Sequence, residues 1–218
     1  MDAGLIPVKP LAEAKQRLGQ SLGERARLQI AQALLEDALA LCRATHELEW
    51  AVVTSDPDVA QRARLAGVGV LPDRHRSLNG SLAAALADLT DRGVRSATVL
   101  PADLPLAMSE DLLDIIDTGE TSDVVVVPSA SDGGTNALHL RPPALLRPSF
   151  GPGSFKAHIE AAQSRGLRCS ILDLPRVTLD IDTVADIDAL RGSGATAGHT
   201  VRVIEGLASA YGPSEVTL

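Results

Sequence analysis

Four consecutive valines, Val124 to Val127, follow Asp123. A strand with one wet face alternates apolar and polar residues, whereas a strand covered on both faces reads as an unbroken apolar run. The run therefore predicts a central strand of a mostly parallel sheet with helices on both sides. Other short apolar runs recur along the chain at Leu5 to Lys9, Leu48 to Ser55, Val68 to Leu71, Ala97 to Leu100, Asn136 to Leu140 and Leu167 to Leu172. Segments of helical period lie between them. Ser21 and Glu24 read as a capping box, S-L-G-E, and Leu28, Ala31, Leu35, Ala38 and Cys42 then recur at three- and four-residue steps. Further helices are expected from Pro57 to near Gly67, Asn79 to Arg92, Ser109 to Thr118, Ser154 to Arg165 and Thr183 to Leu190. Such alternation gives an α/β fold in which ligands sit at the carboxyl ends of the strands. Residues 1–191 make up this domain. Residues 192–218 open with G-S-G-A-T-A-G-H and read as a flexible extension or, over Val201 to Tyr211, as a small packed element.

A chain of 218 residues with 45% apolar content can bury one large core. Aromatic residues are only 2%, which excludes aromatic stacking platforms for sugars or single-stranded nucleic acid. A formal charge of -8 argues against nucleic acid or an anionic membrane as the main partner. Cys42 and Cys169 belong to no metal or redox motif and read as core thiols. There is no signal segment and no apolar run of membrane-spanning length, so a cytoplasmic protein is expected. Of the 20 basic residues only Lys9, Lys15 and Lys156 are lysine.

Two of those lysines follow the first strand, in P-V-K-P-L-A-E-A-K-Q-R-L. Lys9, Lys15 and Arg17 ahead of a helix suit an anionic phosphate chain; the plainer reading is a solvated loop. The segment is neither a P-loop nor G-x-G-x-x-G, which disfavours a dehydrogenase. Asp103, between prolines in V-L-P-A-D-L-P, can hold Mg²⁺ against phosphate oxygens or cap a turn. In L-D-I-D, Asp180 and Asp182 share a face if the segment is a strand, and Asp182 can also cap the next helix. In S-D-G-G-T-N-A-L, Gly133 and Gly134 admit close backbone approach while Thr135 and Asn136 offer donors; a plain hairpin turn is the alternative. F-G-P-G-S-F supplies Gly151, Gly153 and Ser154 at a helix start, a second anion site, with both phenylalanines of the chain packing the loop down. Lys156 and His158 are expected on a solvated helix face. Asn79 and Ser81 can read a base or cap a helix.

Taken in order, IPVKPLAEAKQRL, LNGSLAAAL, LPADLPL, GGTNAL, FGPGSF and LDIDTVAD resemble the guanylyltransferase family of coenzyme F-420 biosynthesis, from about Leu5 to Arg191. Its members are 2-phospho-L-lactate or phosphoenolpyruvate guanylyltransferases. The resemblance implies a single-domain nucleotidyltransferase fold of the glycosyltransferase-A type, three layers α/β/α around a mostly parallel mixed sheet. It implies transfer of GMP from GTP to the phosphate of a three-carbon acid, with pyrophosphate released. Mg²⁺ would sit on Asp103 and Asp182, with Asp180 the alternative to Asp182. Lys9, Lys15 and Arg17 would hold the triphosphate. Thr135, Gly151 and Ser154 fall where the family binds the acid, and Asn79 where related folds meet the base. Arginine- and alanine-rich usage suggests GC-rich coding and leans toward phosphoenolpyruvate over 2-phospho-L-lactate or 3-phospho-D-glycerate. The expected partners are therefore GTP and the phospho-acid, with handover of an unstable product to the next enzyme of the pathway. Molybdenum-cofactor nucleotidyltransferases carry a Gly-rich loop after the first strand, where this chain has P-V-K-P-L. A non-catalytic nucleotide-binding protein would have lost its metal aspartates, which are present here.

Overall fold

A computed structural model describes residues 1–75, 77–131 and 133–211. Asp132 of the expected turn and residues 212–218 of the expected extension lie outside them. The chain runs β1 (Asp2–Pro7), α1 (Gln16–Ala44), β2 (Leu48–Thr54), α2 (Pro57–Leu65), β3 (Gly69–Pro72), α3 (Leu78–Asp91), β4 (Ser96–Val99), α4 (Ser109–Gly119), β5 (Val124–Pro128), β6 (Thr135–Leu140), α5 (Ser154–Ser164), β7 (Cys169–Ile171), α6 (Pro175–Thr178), α7 (Val184–Gly192) and α8 (His199–Tyr211). The strands form one seven-stranded sheet in the order β3-β2-β1-β4-β6-β5-β7. β6 pairs antiparallel with both β4 and β5, and all other pairings are parallel.

Helices cover both faces. Ile6, Val127 and Ala137 share a core with Leu35 and Leu39 of α1, Val59 of α2 and Leu112 of α4. Leu5, Val124, Val126 and Leu138 face the other way, onto Leu82 and Leu86 of α3 and Ala162 of α5. The valine run is thus buried on both faces, but β5 is not central. It stands one strand from the edge, between antiparallel β6 and parallel β7. An unbroken apolar run reports cover on both faces and says nothing of strand direction.

The helix expected from Ser21 starts earlier, at Gln16, and is broken at Gly23 (φ 79°, ψ 163°). The glycine of S-L-G-E therefore interrupts the turn a capping box needs, and Glu24 bonds to Arg27 instead. The Asp180–Asp182 segment belongs to no strand. Its backbone bonds to the turn after β4, where Ile181 N donates to Asp103 O at 3.1 Å. Helix α8 lies on α1, with Val201 and Ile204 buried among Ile30, Leu34, Ile187 and Leu190. Asp37 of α1 accepts from the first amides of α8, His199 N and Thr200 N. Among the described residues no helix is long and apolar enough to cross a membrane.

Candidate active site

β1 is flanked by β2 on one side and β4 on the other, so the chain leaves the sheet in opposite directions around this point. Open α/β sheets bind ligands outside the carboxyl ends of strands at such a reversal. A cavity of ≈ 330 Å³ opens there. Lys9, Lys15, Asp103, Thr135, Asn136, Gly151, Asp180 and Asp182 all line it. Thr135 and Asn136 reach this edge because β6 runs against its neighbours, so its beginning stands beside their ends.

Lys15 is the N-cap of α1 and holds φ 54°, ψ 39°. That left-handed conformation costs a side-chain-bearing residue about 1–2 kcal/mol. Its Nζ lies 2.6 Å from Asp103 Oδ2 and 2.6 Å from Asp182 Oδ1. Burial alone would lower its pKa, but the charges and hydrogen bonds of the two carboxylates prevail and hold the ammonium above its ordinary range. The turn leading into Lys15 is fixed from below by Arg27. This guanidinium, 1% exposed, donates through Nη1 to Leu11 O and Ala14 O.

Asp180 Oδ1 accepts from Ser129 Oγ at 2.9 Å and Asn136 Nδ2 at 3.2 Å. Burial raises its carboxyl above the usual range; those two bonds pull it back, and the nearby charges of Asp103 and Asp182 raise it again. Asn136 Nδ2 also donates to Val177 O and Thr178 O. Its amide nitrogen is therefore committed to placing Asp180.

A divalent cation fits this donor set. Asp103 Oδ1 is buried and accepts no hydrogen bond from the described residues, a costly state for a carboxylate oxygen unless a cation meets it. Asp103, Asp180 and Asp182 supply the hard oxygens Mg²⁺ prefers. Among the described residues no three His, Cys, Asp or Glu side chains are already gathered as a metal cluster. The ammonium of Lys15 stands between two of the three.

Three expected site residues fall elsewhere. Arg17 is exposed on the first turn of α1 and does not line the cavity. Lys15 stands before the helix in a left-handed N-cap, whereas Arg17 already follows the helix and lies on its exposed side. Asn79 does not line the cavity either. Its amide is spent on the backbone of Phe150, accepting from Phe150 N at 2.7 Å and donating to Phe150 O at 3.0 Å. Ser154 is buried behind Thr135, to whose Oγ1 its hydroxyl donates at 3.2 Å. Lys9 is exposed at the rim.

His158, expected on a solvated face, is 1% exposed. Its ring contacts Thr135 Oγ1 at 3.0 Å and Ser149 N at 3.0 Å. Lys156 is solvated and, among the described residues, pairs only with Glu160 of its own helix, at 3.6 Å. The spacing of Ser154, His158 and Ala162, four residues apart each time, puts His158 on the buried face and was the available signal. Arg27 and Ser129 carried none.

Residues 3–207 match the family described as "Guanylyl transferase CofC like". This chain belongs to the CofC-like guanylyl transferase family. The match runs past Arg191 and takes in most of α8. The phosphoenolpyruvate guanylyltransferase of Rubrobacter xylanophilus is 37% identical over 191 residues, covering 87% of this chain and 93% of that protein. The 2-phospho-L-lactate guanylyltransferase of Methanothermobacter thermautotrophicus is 36% identical over 203 residues, covering 91% and 88%. A chain from Desulfovibrio desulfuricans G20, assigned to the nucleotide-diphospho-sugar transferases, superposes with TM-score 0.81 at 16% identity, covering 96% and 97%. Rv0371c of Mycobacterium tuberculosis, solved in complex with manganese, superposes with TM-score 0.56 at 20% identity, covering 88% and 98%. These likenesses in shape show the nucleotidyltransferase fold. Membership of the CofC-like family makes the chain an enzyme of the nucleotidyltransferase class.

Proposed function

We propose that this member of the CofC-like family moves GMP from GTP to the phosphate of a three-carbon phospho-acid and releases pyrophosphate, with phosphoenolpyruvate the preferred acceptor. The observation that carries this reading is one cavity lined by two kinds of group: the ammonium of Lys15 with the carboxylates of Asp103, Asp180 and Asp182, and an uncharged set, Thr135, Asn136 and Gly151, read here as the acceptor wall. Asn136 joins the two sets, its amide donating to Asp180.

In this reading Lys15 and, from the rim, Lys9 hold the triphosphate. Thr135 and the backbone at Gly151 hold the acid, with Ser154 supporting Thr135 from behind. An oxygen of the acid's phosphate attacks the α-phosphorus of GTP as the bond to the β-phosphate oxygen breaks, and the electron pair leaves with pyrophosphate. The attacking phosphate is already ionised, so no general base is required. The work of the site is to bring two anions together in line. Mg²⁺ held by Asp103 and Asp182, with Asp180 beside them, would neutralise the α-phosphate oxygens. Lys15 stabilises the charge that gathers on the departing pyrophosphate.

The choice of acid rests on the relatives. Names with phosphoenolpyruvate reach 37% identity, and one with 2-phospho-L-lactate reaches 36%. These acids differ by a double bond or a methyl group, which a small pocket change can sort. The test is pyrophosphate release with GTP, Mg²⁺ and phosphoenolpyruvate, 2-phospho-L-lactate or 3-phospho-D-glycerate in parallel, with product mass measured. Phosphoenolpyruvate is expected to support the fastest release, and Asp103→Ala to slow it by at least about a hundredfold. GTP binding without release for any acid would replace catalysis with a nucleotide-binding role. Release unchanged by Asp103→Ala would remove Asp103 from the metal site.

A further inference from the structure

His158 stands behind the acceptor wall of the cavity, and both of its ring nitrogens are engaged. Ser149 N lies 3.0 Å from Nε2. A backbone amide can only donate, so Nε2 carries no proton. The single proton of the neutral ring is therefore on Nδ1, which lies 3.0 Å from Thr135 Oγ1. That oxygen also receives the Ser154 hydroxyl at 3.2 Å. Two donors occupy its two lone pairs, and the Thr135 hydroxyl keeps one proton of its own to give. No group of the described protein accepts that proton, and Thr135 lines the cavity. The opposite assignment, with Nε2 protonated, would set two donors against each other at 3.0 Å in a part-buried position.

We propose that His158 is a positioning residue for the acceptor: Ser149 fixes it in the Nδ1–H tautomer, and it in turn fixes Thr135 as a one-way donor aimed at an anionic oxygen in the cavity. The inference deepens the acceptor reading given above and rests on it for the identity of the anion. Burial holds the imidazole pKa down at about 4, so the ring is neutral at pH 7. The ring also meets Phe150 edge-on, with centroids 5.4 Å apart at 69°. Asn79 grips the backbone of that same Phe150 from α3. The loop that presents Gly151 is thus tied to the imidazole that orients Thr135, and both arms of the acceptor wall share one anchor. A hydroxyl that can only donate selects for a phosphate or carboxylate oxygen and against a hydroxyl or amide donor at the same point.

Two kinds of measurement test this. Long-range ¹H–¹⁵N spectra of the full-length protein read the tautomer without turnover, so they remain decisive even if no acid proves to be a substrate. An Nδ1–H signature for His158 is expected, and an Nε2–H signature would overturn the proposal. The kinetic arm compares two variants. In His158→Asn the amide nitrogen overlays Nδ1 and can still donate to Thr135. In His158→Gln the amide oxygen reaches Ser149 and the donor to Thr135 is lost. His158→Gln is expected to raise KM for the acid about tenfold, the worth of one hydrogen bond to a charged group, and to leave KM for GTP unchanged. His158→Asn should recover most of that loss. Equal rises in both KM values in both variants, tracking a fall in Tm, would mark His158 as a structural residue only and overturn the proposal.

Discussion

At the residue scale Lys15 is the position where backbone strain and charge coincide. A lysine with φ 54° is a conformation a surface loop would shed, and strain of this kind persists where the surroundings over-determine it. Here two carboxylates at 2.6 Å do so. Lys15→Ala removes the cation and, with it, both of the contacts that hold the strained turn. Pyrophosphate release is expected to fall by about 10²–10³, the range seen when a preorganised group facing transition-state charge is lost. A rate within threefold of the parent would take Lys15 out of the chemistry. Lys15 and Lys9 were legible in the sequence because lysine is rare in this chain, and Asp103 because prolines stiffen its turn. Ser129 and Arg27 were not legible. Their partners Asp180 and Leu11 lie 51 and 16 residues away, and nothing local in a serine or an arginine marks such a contact.

At the scale of elements, the site depends on how the chain enters α1. Gly23 breaks the helix, the first turns swing apart from the rest, and Arg27 in the longer part reaches back to the turn before Lys15. Arg27→Met would keep the buried stem and take the guanidinium from both carbonyls, leaving Leu11 O only the long bond from Ala14 N at 3.4 Å. The expected cost is about 3 kcal/mol, seen as a drop in Tm of roughly 10 °C by differential scanning calorimetry. Turnover at 20 °C should fall as well, because Ala14 is the residue next to Lys15; unchanged turnover would detach the staple from the site. Most elements could be read from the sequence because apolar periodicity reports burial directly. The direction of β6 could not. A parallel strand delivers its site residues just beyond its carboxyl end, whereas the reversed β6 delivers them at its beginning. Thr135 and Asn136 were visible in the sequence only through the glycines before them. The short α6, whose carbonyls help to seat Asn136, has too few residues to show a period at all.

At the scale of the whole molecule, a formal charge of -8 does not decide whether the cavity takes a phosphate chain, because the relevant field is local: Lys9 and Lys15 face Glu13, Asp103, Asp180 and Asp182 there, and the divalent cation proposed for the site would tip that balance. The same separation of local from global electrostatics governs stability against pH. His139 and His158 are each 1% exposed. Burial pushes the His139 imidazole down to about 4; around it Asp2 and Glu120 act to raise the value while Arg141 and Arg95 act to lower it, and the opposed charges leave burial in control. Burial likewise holds His158 at about 4. Unfolded, both rings titrate near 6.5. Between these values the unfolded chain takes up protons that the folded chain refuses, so this contribution is fully present above pH 6.5 and is lost as pH falls toward 4. Each ring accounts for roughly 3 kcal/mol over the whole span. The carboxylates held low by arginines, Asp2 and Asp123, lose their contribution only below 3.8, outside the window. Asp180, held high, works in the opposite sense, but it is one group against two. Urea midpoints should therefore fall steadily from pH 7 to pH 5, before acid denaturation by the carboxylates begins. His139→Gln cannot take up the proton and should remove about half of that slope, since it deletes one of two comparable titrations. A midpoint that stays level from pH 7 to pH 5 in the parent protein would show that the buried imidazoles take up their protons in the folded state too, each new N–H finding a hydrogen-bond acceptor. That result would also place a charge next to Thr135, where the acceptor wall is built for a neutral ring.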